Sequence, residues 1–314
     1  MHSMCSQTPS NTLTNADLEK IVDTNDQWIT ERTGIKSRFI CGPGENSLTL
    51  SLASAKKSIE ASGLSLDEID GVIIGTSSAD QIFPALGCLI AGHLGIKGFG
   101  FDIQAACSGF VFATHIARQF IENKSAKNIL VIGVDVISKA LDWNDRKTCV
   151  LFGDGAGSCI ISASAEPGFI ESMIGSEADF DFSLSMSSPW SSPNKLHKLH
   201  MDGQKVFKKA VGCLSSCVEE LLTRSNLKAA DIDLVVPHQA NIRILQAVAE
   251  RTSVPIDKYY QCLQRYGNTS AASIPLALFD AVQDGLIKKG STIMLIAFGG
   301  GMTYGGSIIK MGAL

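Results

Sequence analysis

The sequence predicts an α/β fold made of two related halves in tandem, and three observations predict it. Short apolar runs alternate along the chain with longer segments of helical periodicity, the pattern of sheets covered on both faces. Residues 64–75 (LSLDEIDGVIIG) and 227–238 (LKAADIDLVVPH) share one plan: a leading Leu, a short polar helix-like stretch, Ile-Asp, then an apolar strand. The match sets Asp70 opposite Asp233, an offset of 163 residues (233 − 70). Carried forward, it sets ILVIGVD at 129–135 opposite TIMLIAF at 292–298, strand opposite strand, and Cys107 opposite Ser270.

Taken in order, helical periodicity runs through ASAKKSIEAS (53–62), GFVFATHIARQFIE (109–122), VFKKAVGCLSSCVEELLTRS (206–225), ANIRILQAVAERT (240–252) and ASIPLALFDAVQDG (272–285). FGDGAG at 152–157 is not a dinucleotide fingerprint. Its spacing is not G-x-G-x-x-G, and a strand (SCIIS) follows where a helix is required. Residues 176–200, rich in Ser and Pro, read as a long surface excursion of the kind that often carries function. The halves divide near residue 170, into 1–170 and 171–314, with a shared interface making them one folding unit.

Composition narrows the class. At 314 residues, 45% hydrophobic and 18% charged, the chain can bury a large core. A net charge of −4 argues against a nucleic-acid binder. Nine cysteines without a C-x-x-C pair suggest reduced thiols in the cytoplasm, not disulfides or a metal site. The start, MHSMCSQTPS, has no apolar signal-peptide core, and no apolar run approaches a membrane span. A cytoplasmic protein without membrane contact is the expectation.

Three polar residues stand at strand-to-helix turns. Cys107 lies in FDIQAACSGFVFATHIARQFIE, where an apolar run ends and a helix begins. Free N–H groups and the helix dipole at such a place favour the nucleophilic thiolate, and Ala105, Ala106, Ser108 and Gly109 leave room around the sulfur. Alone, such a cysteine reads as buried and inert. His238 ends DLVVP, and Asn268 stands in RYGNTSAAS; alone they read as a packed histidine and an N-cap. In pseudo-symmetric halves all three strand ends can converge at the interface, where open α/β sheets place ligands.

These residues sit in motifs that carry a resemblance. TNADLEKIVDTNDQWITERTGI, DIQAACSGF, DRKTCVLFGDGAG, VVPHQANIRI, YGNTSAASIP and FGGGMTYGG, in this order from Thr14 to the C-terminus, resemble the β-ketoacyl-acyl-carrier-protein synthase III family of the thiolase superfamily. The resemblance implies a thiolase-like fold, two pseudo-symmetric halves packed as an α-β-α-β-α sandwich. It implies an acyltransferase that initiates type II fatty-acid synthesis, with Cys107, His238 and Asn268 catalytic. Cys107 would take a short acyl group, by default acetyl, from acyl-CoA, with the amides of Cys107 and Gly300 holding the oxyanion. His238 and Asn268 would stabilise the enolate formed when malonyl-acyl carrier protein loses carbon dioxide. Acyl-CoA is a substrate, and neither a cofactor nor a metal is implied.

Further roles follow only from the resemblance. Trp28 and Arg146 would flank the adenine, and Arg32, Gly203, Asn241 and Arg243 would line the nucleotide and pantetheine arm. Trp28 also reads as an ordinary half-buried core residue. Phe83 would end the acyl pocket, Phe298 would pack beside the catalytic centre, and FGDGAG would be a structural turn between strands. Lys208, Lys209, Arg243 and Arg251 would receive the acidic carrier protein. A homodimer whose sheet continues across the interface is also implied. The family's first strand is apolar and lies inside the first sheet; MHSMCSQTP is a poor strand, either truncated or filling that place badly. Reduced stability is expected there, not altered chemistry. The readings set against this one are a synthase-III-like acyltransferase of secondary metabolism and a non-catalytic acyl-binding subunit. A cysteine hydrolase lacks the papain-like local motif.

Overall fold

The computed structural model describes residues 1–166, 168–188 and 198–312. The first half runs β1 (Ser3–Gln7), β2 (Asn11–Thr14), α1 (Asn15–Leu18), α2 (Asp26–Thr33), β3 (Ser37–Ile40), α3 (Ser47–Ser62) and β4 (Gly71–Gly75). It continues with α4 (Leu86–Leu94), β5 (Phe99–Ile103), α5 (Gly109–Glu122), β6 (Asn128–Val136) and β7 (Asp154–Ser162). The second runs β8 (Phe169–Ser176), β9 (Leu184–Met186), β10 (Leu199–Met201), α6 (Gly203–Ser225), β11 (Leu234–Pro237) and α7 (Ile242–Arg251). It closes with α8 (Leu263–Tyr266), α9 (Ser273–Gln283), β12 (Thr292–Gly299) and β13 (Thr303–Lys310).

Two sheets follow the tandem plan, with strand order β1-β7-β6-β4-β5 in the first and β11-β12-β13-β8 in the second. Because strand side chains alternate, each strand feeds two cores. Val72, Ile74, Leu130 and Ile132 pack outward under α3 and α4. Ile73, Ile129 and Val131 face inward, where α5 and α9 lie against Val236, Ile293 and Leu295 of the other sheet. Val235, Met294 and Ile296 complete a third layer beneath α6 and α7. The central cluster draws residues from both halves, so they share one core. No helix among the described residues is long and apolar enough to cross a membrane.

Three expectations are corrected. Ser3–Gln7 does form a strand, antiparallel to β7 through five residue pairs, but at the rim of the sheet. Its polarity is matched by a serine-lined face of α3: Ser3 Oγ donates to Ser58 O, and Ser54, Ser58 and Ser158 join hydroxyls at 2.7 Å. FGDGAG is not wholly a turn, since Asp154 to Gly157 lie inside β7. Gly157 is needed because a Cβ there would sit 2.6 Å from Pro275 Cβ of α9. The excursion contains a ribbon, β9 paired antiparallel with β10, while its residues 189–197 lie outside the described residues.

The internal duplication also needs a one-residue adjustment. Gly71 pairs with Ile129, and Leu234 pairs with Ile293, so the offset is 163 at the first strand and 164 (293 − 129) at the second. The turns before α5 and α9 keep 164. Short 3₁₀ turns span Ala106–Ser108 and Ser270–Ala272, with positive φ at Ala106 (47°) and Ser270 (50°). The counterpart of Cys107 is therefore Ala271, and Ser270 matches Ala106.

Candidate active site

Neither α5 nor α9 has a side-chain N-cap, so their first N–H groups are left to other partners. At the α5 turn, Gly299 lies so close that a Cβ would sit 2.6 Å from Cys107 N and 3.0 Å from Ser108 N. Cys107 is buried, and Ser270 Oγ donates to its Sγ at 3.4 Å. Burial first, with the nearby Asp135 adding to it, pushes the thiol pKa up to about 12, against the Ser270 hydroxyl and the Cys107 amide. The expected ease of ionisation is thus reversed, because desolvation outweighs the local donors.

His238 follows β11, anchored by its N–H to Ile296 O at 2.8 Å. Its Nδ1 is buried with no hydrogen-bond partner among the described residues. Burial lowers its pKa to about 4, so the ring is neutral near pH 7. Asn268 is held in a strand-like bridge with Phe152: its N–H donates to Leu151 O (2.8 Å), and its carbonyl accepts from Gly153 N (2.9 Å). The FGDG segment thus positions a site residue. Asn268 Oδ1 accepts from Ser270 N at 2.9 Å, which leaves Nδ2 as the group to offer elsewhere.

Cys107, His238, Asn268, Phe298 and Gly300 line one cavity of about 470 Å³, together with Gly203 and Asn241. Asn241 also caps α7, accepting from Arg243 N. Trp28, Arg32 and Arg146 form a neighbouring cluster, with each guanidinium 5.2 Å from the Trp28 ring centroid. Leu151, which lines the cavity, packs in the same small core as Trp28. Phe83 is the exception. It is 81% exposed on the loop before α4, outside the cavity of its own chain, so within one chain it does not bound an acyl pocket.

Lys208, Lys209, Arg243 and Arg251 are exposed. Lys209 is tied to Glu177, whereas the other three have no ion pair among the described residues. Lys205 next to them pairs with Asp181 at 2.9 Å, so the patch is mixed in sign.

Several residues at the site escaped the sequence reading. Leu184, Met186, Leu199 and Met201 of the β9–β10 ribbon line the cavity. Asp135, fully buried at the end of β6, accepts from Thr76 Oγ1, Ser77 N and Ser78 Oγ, and from Ala271 N at 3.1 Å. Arg38, buried in β3, donates to Val150 O and Asn15 Oδ1 beneath the segment that pairs with Asn268. Burial lowers its pKa to about 10, which leaves it charged near neutrality. The only local signal for these groups is a charge set in an apolar run, as in ILVIGVD.

Comparison with known proteins relates the chain to one family. Residues 101–178 match the family described as 3-oxoacyl-[acyl-carrier-protein (ACP)] synthase III, and residues 222–311 match its C-terminal region. A β-ketoacyl-[acyl-carrier-protein] synthase III of Coxiella burnetii is 45% identical over 307 residues, 96% of each chain. The crystal structure of 3-oxoacyl-[acyl-carrier-protein] synthase III from Aquifex aeolicus superposes with a TM-score of 0.94 at 40% identity, covering 99% of each chain. The priming β-ketosynthase of the R1128 polyketide pathway superposes equally well, at 33% identity over 99% of this chain and 95% of that one.

Proposed function

The chain belongs to the 3-oxoacyl-[acyl-carrier-protein] synthase III family of thiolase-fold condensing acyltransferases, and from that premise we propose how its own residues run the reaction. The Cys107 thiolate attacks the thioester carbon of a short acyl-CoA, and the amides of Cys107 and Gly300 hold the tetrahedral oxyanion. The C–S bond to coenzyme A breaks, coenzyme A leaves as its thiolate, and the acyl group stays on Cys107. Malonyl-acyl carrier protein then enters and loses carbon dioxide. His238 and Asn268 Nδ2 donate to the resulting enolate oxygen. The enolate carbon attacks the acyl-Cys107 carbonyl, forming the new C–C bond and returning the sulfur as thiolate.

The observation that carries this reading is one cavity lined by a sulfur, a neutral imidazole and an amide whose oxygen is already engaged. A neutral histidine and an asparagine NH₂ donate hydrogen bonds without carrying a charge that a dry pocket would have to desolvate. Trp28, Arg32 and Arg146 are assigned to the nucleotide end, with Gly203, Asn241 and Arg243 along the arm. Phe298 is assigned to the catalytic wall, and Lys208, Lys209, Arg243 and Arg251 to carrier-protein docking. The halves 1–170 and 171–314 are read as the two units of the duplication.

The reading includes a homodimer in the cytoplasm. Supporting the dimer, β5 is an outer strand of its sheet, and Ile82 and Phe83 are 63% and 81% exposed. An exposed apolar pair of that kind suits cover by a second copy, which would bring Phe83 to the partner's acyl pocket. Nine free cysteines suit a reducing compartment.

The test is carbon dioxide release and product mass on mixing acetyl-CoA with malonyl-acyl carrier protein. Acetoacetyl-carrier protein with matching carbon dioxide is expected. The secondary-metabolite reading has its own support in the R1128 priming ketosynthase. An acyl-enzyme that malonyl-carrier protein leaves intact would favour that reading.

A further inference from the structure

The two corresponding turns are equipped differently, and the difference places an unassigned hydroxyl on the nucleophile. Ser270 is 3% exposed and holds φ at +50°, a left-handed conformation uncommon for serine and sustained only when its surroundings impose it. Its N–H donates to Asn268 Oδ1 at 2.9 Å, and its Oγ donates to Cys107 Sγ at 3.4 Å. One residue therefore touches two members of the proposed site.

We infer that Ser270 is a further catalytic residue whose hydroxyl donates to the Cys107 sulfur and stabilises its thiolate, with Asp135 as the positioning residue behind it. Asp135 fixes the turn through Ala271 N, and is itself held by Thr76, Ser77 and Ser78. The titratable groups facing Cys107 are Asp135, from the end of β6, and His238, from the turn after β11. Asp135, itself pushed upward by burial, disfavours a negative charge on the sulfur, and the neutral His238 does not offset it. A hydroxyl has one proton to donate. The Ser270 hydroxyl lies within reach of both the Asp135 carboxylate and the sulfur. As the thiol ionises its sulfur becomes the stronger acceptor, and the hydrogen bond from the hydroxyl strengthens. No proton passes through Ser270, and the thiol proton leaves to water.

This inference rests on the proposed role of Cys107, and its test separates the two. Ser270→Ala removes the hydroxyl; Ser270→Gly removes it while relieving the positive φ. The readout is the rate at which iodoacetamide alkylates Cys107 between pH 7 and 9, below the half-ionisation of a thiol raised to about 12, with the site identified by peptide mass. Both variants should slow that alkylation about tenfold at each pH, the one-unit rise that loss of a hydrogen bond to a charged group produces. Acyl transfer from acetyl-CoA near pH 7 should slow about tenfold in kcat with little change in KM. An unchanged alkylation rate in both variants overturns the inference. So does slower alkylation in Ser270→Ala alone, which would trace the effect to backbone strain. A wild-type chain that takes no acyl group on Cys107 would instead overturn the reaction proposal, while the alkylation rates would still decide Ser270.

Discussion

The turn before α5 and the turn before α9 share a backbone and differ in chemistry. Each is a 3₁₀ turn with a positive φ at its first residue, leading into a helix without a side-chain cap. Where the first turn has Cys107, the second has Ala271. Asp135, at the end of β6, corresponds to Gly299, at the end of β12 (299 − 135 = 164). In the second turn the Asp135 carboxylate takes the Ala271 N–H, whereas in the first no side chain stands between Gly299 and Cys107 N. The same fold element thus makes an open donor site in one half and a filled, structural one in the other. Side chains, not topology, decide which turn can hold an oxyanion.

The largest expected effect comes from copying the filled turn into the open one. Gly299→Asp puts a Cβ within 2.6 Å of Cys107 N and a carboxylate beside the amide. Acylation by acetyl-CoA should fall about 10³-fold, the scale of losing an oxyanion donor, as read by quenched-flow mass spectrometry. Near-wild-type acylation would break the comparison. Next, Asn268→Ala removes the donor proposed for the second step. Malonyl-acyl carrier protein decarboxylation should drop about 10²-fold, measured as carbon dioxide, while Cys107 still accepts an acyl group.

Smaller effects sharpen the boundary of the site. Trp28→Ala removes the ring against which two guanidinium groups pack. It should raise KM for acyl-CoA about fivefold and leave kcat near its original value, in steady-state assays with saturating malonyl-carrier protein. The smallest expected effect is none. A histidine with an ordinary pKa becomes charged on falling through pH 6.5, but burial lowers His238 to about 4, so its neutral form persists below that point. In a Cys107→Ala chain, which removes the thiol titration, decarboxylation should stay level from pH 8 to about 5.5. An inflection near 6.5 would show a solvated His238.

Much of this was legible in the sequence because the three polar residues that meet in the cavity sit at strand ends. A polar residue just after an apolar run announces itself, and Cys107, His238 and Asn268 each did so. The duplication was legible too, but its offset slips from 163 to 164 before β12, which moved the counterpart of Cys107 from Ser270 to Ala271. Asp135 was hidden because its partners come from residues 76–78 and 271, contacts that leave no local period. The β9–β10 ribbon was hidden by a Ser- and Pro-rich composition that reads as loop. MHSMC read as a poor strand because strand propensity rewards apolar residues, whereas this strand is matched by the serines of α3.

The central claim is that one turn of the two is catalytic and that Cys107 is its nucleophile. Intact-protein and peptide mass spectrometry after mixing with acetyl-CoA tests it most directly, on the wild type and on Cys107→Ser. The account predicts a single acetyl group per wild-type chain, mapped to Cys107, discharged by malonyl-acyl carrier protein, and absent from the variant. Acetylation at another cysteine, or equal labelling of the variant, would contradict it.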